Sequence, residues 1–352
     1  MLDLNSLKNS IQGGNPSVYQ RTKDRWNGLA KPLGSLGQLE TAICRMAALI
    51  GSEEVSLDRR TLVVFCADNG VTAQGVSQSD SSVTEAVAGA LGKKRSTVNY
   101  MASGLNCKVI PVDIGMTCDR TPPGVSYRRI RSGTADFSLG PAMERGDCLR
   151  AMEAGFDLAV KAAEQGADLL LAGEMGIGNT TTSAAILSVL LRQPPEALAG
   201  KGAGLSDAGL NRKIEVIRRG IMVNRPDAND PVDILTKVGG LDLAALCGFY
   251  LGAAYSRRPV LLDGVITYAA ALCAVRLCRK AEDAMLASHR SAEPASRLAL
   301  EALCLCPLIS ADLRLGEGSG AVAALPLLDM ALRVYHSGNH FASIGIDPYQ
   351  PL

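Results

Sequence analysis

A chain of 352 residues with 36 Lys and Arg against 35 Asp and Glu is close to neutral, and it has no basic run with interleaved aromatics, which argues against a nucleic-acid partner. Apolar residues make up 47% of it and aromatics 4%, with 36 glycines, a mixture that suits helices packed closely on a parallel sheet better than a β-sandwich. Its apolar stretches are broken by Arg, Asp or Gly short of the roughly 20 residues a membrane span needs, so a soluble protein with no membrane partner is expected.

The ten cysteines are scattered through apolar surroundings, with no C-x-x-C pair and no signal peptide at the start. A reducing cytoplasm and buried free thiols are the expected setting. His336 and His340 stand at helical spacing, but Gly338 lies between them and no third ligand is evident, so neither a metal nor another cofactor is expected.

In chain order, Leu2 to Leu29 reads as one or two short helices around an Asn15-Pro16 break, and a Gly- and Pro-containing loop from Lys31 precedes the helix Leu39 to Ile50. Thr61 to Ala67 is a continuous apolar run, the pattern of a strand buried on both faces, and it ends in Asp68 and Asn69. A helix from Val83 to Met101 follows, then a strand from Lys108 to Gly115, an irregular stretch from Cys118 to Gly140, and a helix from Asp147 to Glu164. A third strand, Asp168 to Ala172, runs into Gly173-Glu174-Met175-Gly176-Ile177-Gly178-Asn179-Thr180-Thr181-Thr182 and a helix from Ser183.

That strand, glycine-dense turn and hydroxyl-bearing helix start is how backbone N–H groups are aimed at an anion, and a plain tight turn with a helix cap is the competing reading. Neither the P-loop nor the dinucleotide fingerprint fits. A second cradle stands at Gly200, Gly202 and Gly204, with Lys213 on the next helix able to add charge. The helix Leu241 to Tyr255 precedes a fourth strand, Pro259 to Gly264, carrying Asp263, and the last third reads as mostly helical. Repeated strand, acid-plus-glycine and helix units imply an α/β, doubly wound, mostly parallel sheet whose polar rim collects Asp68, Glu174 and Asp263. In Arg314 to Ala321, Glu317 stands between glycines 316 and 318, placed either as a dipole-favoured acid at a helix start or as a catalytic acid or base that a substrate can approach closely.

Five stretches in this order carry a resemblance over essentially the whole chain: Lys31-Pro32-Leu33-Gly34-Ser35-Leu36-Gly37, Ala67-Asp68-Asn69-Gly70-Val71, residues 173–181, Lys237-Val238-Gly239-Gly240, and residues 314–321. The sequence resembles the nicotinate-nucleotide:5,6-dimethylbenzimidazole phosphoribosyltransferases. The resemblance implies a large α/β domain over 29–295, a small helical domain built from 1–28 and 296–352, and a dimer whose neighbour borders the active site. It implies transfer of 5-phosphoribosyl from nicotinate mononucleotide to an aromatic acceptor, inverting at the anomeric carbon, with Glu317 as general base and Glu174 facing the sugar or the reacting rings. Gly176, Gly178, Asn179, Thr180, Gly202, Ala203, Gly204, Lys213, Asp263 and Ser291 are then expected to hold the nucleotide and its phosphate. Asp68, Asn69, Ser79, Asp80, Val87, Met175 and Leu315 are expected to border the acceptor.

The sequence departs from the family around that acceptor. Asn69 stands where His is usual, the helix beginning Val83-Thr84-Glu85-Ala86-Val87 lacks the usual Gln, Ser77 to Ser82 lack the usual Pro, and Pro294-Ala295-Ser296 stands where a His is common. The acceptor therefore stays open among 5,6-dimethylbenzimidazole, a related base and a phenol such as p-cresol. Some relatives that use phenols act as pairs of similar chains, so a heterodimer with a paralogue stands beside the homodimer. A supporting subunit for a catalytic paralogue is the reading from another class.

Overall fold

The protein, described here by a computed structural model over residues 3–347 and Tyr349, is built on one six-stranded sheet in which every pairing is parallel. Residues 1, 2, 348 and 350–352 of the expected terminal helical domain lie outside the described residues. The strands are β1 (Arg60–Ala67), β2 (Cys107–Gly115), β3 (Ser126–Tyr127), β4 (Leu169–Met175), β5 (Val260–Leu262) and β6 (Met285–Ala287), in the order β3-β2-β1-β4-β5-β6.

The alternation of side chains along each strand sends neighbouring residues to opposite faces. Leu62, Val64, Cys66, Leu169 and Leu171 pack on one face with the helices Pro16–Gly28, Gln38–Ile50, Ser81–Gly92 and Ser319–Tyr335. Val63, Phe65, Ala67, Leu170 and Ala172 pack on the other with Arg145–Glu164, Asn179–Leu191, Leu241–Tyr255 and Val265–Leu277. Both faces are covered, which is why these strands read as unbroken apolar runs. Glycine rather than aromatic bulk sets the spacing of the helices. A Cβ on Gly248 would stand 1.8 Å from the Met152 carbonyl oxygen, and one on Gly155 would stand 1.9 Å from that of Ala245.

Helices of both chain ends share one layer: the Trp26 and Tyr335 rings lie 5.0 Å apart, and Leu29 bridges His340. No helix among the described residues is long and apolar enough to cross a membrane.

Three sequence expectations change. The helix expected over Val83 to Met101 is two, Ser81–Gly92 and Thr97–Met101, because Lys94 takes a left-handed φ of 58° and Ser96 with Asn99 forms a capping box that restarts the chain. The irregular stretch from Cys118 contains the two-residue β3, and the mostly helical last third contains β6. In addition, the helix expected from Ser183 begins at Asn179, inside the glycine motif. His336 lies just past the end of the Ser319–Tyr335 helix, so its four-residue spacing to His340 is not a helical one.

The order of strands reverses between β1 and β4, and the crevice at their carboxyl ends is where such sheets hold ligands. Asp68 and Asn69 leave β1 there, and Glu174 closes β4.

Candidate active site

At that switch point lies a cavity of about 290 Å³. Its floor is the turn after β4. A Cβ on Gly176 would stand 2.4 Å from the Ala67 carbonyl oxygen, and Gly178 takes a φ of 95°, so both positions require glycine for the turn to fit between strand and helix. The turn delivers Asn179 and Thr180 to the first positions of the Asn179–Leu191 helix, whose N–H groups and dipole favour an anion.

Four carboxylates border the cavity, those of Glu174, Asp263, Glu317 and Glu293. Glu174 is 5% exposed, and burial, with the carboxylates of Asp242 and Asp263 adding to it, pushes its pKa up to about 8. Asn179 Nδ2 donates to Glu174 Oε2 and, at 3.2 Å, to Asp242 Oδ2, so one amide joins two buried acids. Burial also raises Asp242, to about 6. Asp263 accepts from the backbone N–H groups of Gly318 at 3.1 Å, Gly320 at 2.7 Å and Ala321 at 3.3 Å, capping the Ser319–Tyr335 helix. Burial lifts Asp263 to about 7 against the pull of those three bonds.

Glu317 is the third acid, 7% exposed, with a left-handed φ of 60° between two glycines at 89° and 85°. A non-glycine residue held there is a local strain that the surrounding structure must over-determine. Here the Glu317 N–H donates to the Glu174 carbonyl at 3.1 Å, and Val98 N donates to Glu317 Oε2 at 3.3 Å. The carboxylate therefore stands at the start of the Thr97–Met101 helix, which orients it, and Oε1 makes no hydrogen bond among the described residues.

On the opposite side Lys213 is 0% exposed, and burial pulls its pKa down to about 8. Its Nζ donates to Thr180 Oγ1 at 2.8 Å and to the Gly200 carbonyl at 3.1 Å, so the cation sits beneath the junction of the two glycine loops. Glu293 enters the same corner: its Oε1 accepts from Gly202 N at 3.1 Å. The remaining wall is mostly apolar, with Val83, Val87, Met175, Ile177 and Leu315, and its polar groups include Ser77 and Ser79.

The cavity brings together all the expected site residues except Gly204, Lys213, Asp68, Asn69 and Asp80. Lys213 acts from behind Thr180. Gly204 offers its carbonyl to Gln78. Asp68 is tied to Thr117, accepting from its N–H at 2.8 Å and its hydroxyl at 2.9 Å. Asn69 donates to the Ile177 carbonyl at 3.3 Å, and Asp80 caps the Ser81–Gly92 helix. These three support the wall from outside the cavity. Asp242, His289, Glu293 and Arg314 were not singled out in the sequence; His289 and Glu293 lay in a loop, Ser288 to Pro294, whose polar residues were the available signal.

A family model described as "Phosphoribosyltransferase" matches residues 11–346. The nicotinate-nucleotide–dimethylbenzimidazole phosphoribosyltransferase of Ruminiclostridium cellulolyticum is 42% identical over 98% of this chain and 98% of its own length. The enzyme of the same name from Halalkalibacterium halodurans is 41% identical over 98% of this chain and 97% of its own. The crystal structure of CobT from Thermus thermophilus superposes with a TM-score of 0.89 at 39% identity, covering 95% of this chain and 100% of that one. On this match over nearly its whole length, the chain belongs to the nicotinate-nucleotide–dimethylbenzimidazole phosphoribosyltransferase family of transferases.

Proposed function

We propose that this chain transfers the 5-phosphoribosyl group of nicotinate mononucleotide to an aromatic acceptor, either 5,6-dimethylbenzimidazole, a related base or a phenol such as p-cresol, with Glu317 as the general base. The observation that carries this reading is the position of Glu317. Its carboxylate borders a cavity that has glycine loops and a buried lysine on one side and an apolar slot on the other.

The chemistry asks little of the leaving group. The acceptor nitrogen or oxygen bonds to the anomeric carbon as the bond to the pyridinium nitrogen breaks. That bond's electron pair returns to the ring, which departs as nicotinate, and the acceptor proton passes to Glu317. What remains is to hold the two reactants in line, to anchor a phosphate dianion, and to support positive charge building on the sugar. Thr180, Ser291 and Lys213 anchor the phosphate in this reading, and Asp263 and Glu174 face the sugar. Because Glu293 already engages the Gly202 N–H, the second glycine loop contributes shape and the nearby Lys213 charge.

The acceptor slot favours a flat apolar ring with one reacting atom. Val87 and Met175 offer no partner to a second ring nitrogen, and Ser77 and Ser79 are its nearby hydroxyls. A phenol fits such a slot as well as a benzimidazole does. The chain is read as a cytoplasmic enzyme acting as a homodimer or with a paralogue, its terminal helices forming the small domain over 1–28 and 296–352 and the rest the large domain over 29–295.

The test incubates the purified chain alone with nicotinate mononucleotide and each acceptor in competition, and quantifies nicotinate and the ribosylated product. Acceptor-dependent nicotinate release supports the reading. Release only after a paralogous chain is added favours a supporting subunit, and no release under either condition refutes the assignment.

A further inference from the structure

His289 follows β6 and is 3% exposed, yet it lines the cavity. One edge of its ring is fixed. Nδ1 lies 3.1 Å from Ser288 Oγ and 3.9 Å from Asp263 Oδ1. The Ser288 hydroxyl donates its hydrogen to the Asp263 carbonyl oxygen at 3.1 Å. A hydroxyl has a single hydrogen, so toward His289 the same oxygen accepts, and Nδ1 carries the proton. Burial pulls the His289 pKa down to about 4, which keeps the imidazole neutral at physiological pH. A neutral ring protonated at Nδ1 has a bare lone pair at Nε2.

Space has been kept for this ring at Gly320, where a Cβ would stand 1.9 Å from Nδ1, while Gly264 lies in ordinary contact range, its Cβ position 3.6 Å from Nε2. The imidazole therefore lies against the start of the Ser319–Tyr335 helix, with Nε2 on the side of Gly264 and Ser291. Nε2 makes no hydrogen bond among the described residues, while Tyr268 secures the backbone by donating to the His289 carbonyl. The charged groups bordering the same cavity are Asp263, Glu174, Glu317, Glu293 and Arg314.

An acceptor at this place selects its partner by chemistry. A phosphate oxygen or the nicotinate carboxylate would face it lone pair to lone pair. At neutral pH the hydrogen-bond donors of nicotinate mononucleotide are its two ribose hydroxyls, and the proton of the incoming acceptor belongs to Glu317. We propose that His289 is a donor-specificity residue whose Nε2 accepts a hydrogen bond from a ribose hydroxyl of the phosphoribosyl donor. The inference rests on the donor assignment above.

The test compares kcat/KM of wild type and His289→Asn for nicotinate mononucleotide and for its 2′-deoxy and 3′-deoxy forms. Asparagine keeps a donor toward Ser288 and leaves no group at the Nε2 position. Wild type is expected to lose about tenfold on the deoxy donor that lacks the contacted hydroxyl, the worth of one hydrogen bond to a buried acceptor. His289→Asn is expected to treat that donor and the parent alike. Equal discrimination by the two proteins, or a wild type indifferent to both hydroxyls, overturns the proposal. A wild type that turns over no nicotinate mononucleotide with any acceptor, alone or with a paralogous chain added, overturns the donor assignment and the inference with it.

A second measurement needs no variant. Nitrogen-15 spectra of the wild-type histidines are expected to show His289 protonated at Nδ1, with an Nε2 resonance that moves on adding nicotinate mononucleotide. Protonation at Nε2, or a resonance the donor leaves unmoved, contradicts the proposal.

Discussion

The backbone N–H of Glu317 donates to the carbonyl oxygen of Glu174 at 3.1 Å, tying the loop before the last long helix to the end of β4. Two acids from segments far apart in sequence are thereby held at one wall of the cavity. The contact depends on Gly173, where a Cβ would stand 2.7 Å from the Glu317 carbonyl carbon. Gly173→Ala is expected to push the two segments apart, destabilising the fold by about 1–3 kcal/mol and lowering kcat more than it raises the donor KM. Denaturant unfolding together with steady-state kinetics checks this, and a variant with wild-type stability and kcat would show that the contact is not needed.

Lys213 is a buried cation that hydrogen-bonds a hydroxyl and a carbonyl, with the Glu293 carboxylate near enough to act on its charge. None of its hydrogen bonds among the described residues is to a carboxylate, which leaves the cation able to serve a phosphate oxygen. Lys213→Met keeps most of the packing and removes the charge, so the donor KM is expected to rise by roughly tenfold to a hundredfold, the range of a charge-assisted hydrogen bond. Isothermal titration with nicotinate mononucleotide measures it, and unchanged affinity would remove Lys213 from the phosphate site.

Glu174 gives the fold a pH dependence of definite sign. Its pKa is raised from 4.5 to about 8 by burial and by nearby acids. Between those values the folded state holds a proton that the unfolded chain has released, so stability falls as pH rises through that window. Glu174→Gln removes this loss while keeping an acceptor for Asn179. Its stability relative to wild type is expected to improve from pH 4.5 to about pH 8 by on the order of a few kcal/mol. Thermal or urea unfolding across that range decides, and parallel profiles for the two proteins would place the titration elsewhere.

Val87 lines the apolar side of the cavity, on the helix in which the resemblance leads one to expect a Gln. Val87→Gln adds a partner for a second ring nitrogen and a polar group that a simple phenol does not use. The ratio of kcat/KM for 5,6-dimethylbenzimidazole over p-cresol is expected to rise by about tenfold, the worth of one hydrogen bond. A ratio that stays level in competition assays would mean that Val87 does not select the acceptor.

The main features of the fold were legible because the strands that matter are buried on both faces and say so in runs such as Thr61 to Ala67. What escaped were pieces too short to carry a pattern. Tyr127 and Ser126 make a strand of two residues, and Met285 to Ala287 one of three whose pairing with β5 is decided by the sheet rather than by propensity.

In the site, glycines announced the loops because left-handed turns demand them, and Glu317 stood out as a carboxylate with no local packing reason to be there. Asp242 was hidden at the start of an apolar helix, where an acid is ordinary. His289 was hidden because the orientation of its ring depends on Ser288 and Asp263 converging on one edge of it, a relationship no spacing encodes. Asp68, Asn69 and Asp80 were expected at the acceptor on the strength of the resemblance. Their side chains turn instead to Thr117, to the Ile177 carbonyl and to a helix cap.

The proposed role of Glu317 is to take the acceptor proton while other residues bind the donor. The direct measurement is single-turnover nicotinate release by wild type and Glu317→Gln at saturating nicotinate mononucleotide and acceptor, with donor affinity measured on the same samples. The expected result is acceptor-dependent release by wild type and a loss of at least about a hundredfold in Glu317→Gln with donor affinity intact. Release by Glu317→Gln at close to the wild-type rate would remove Glu317 from the proton transfer.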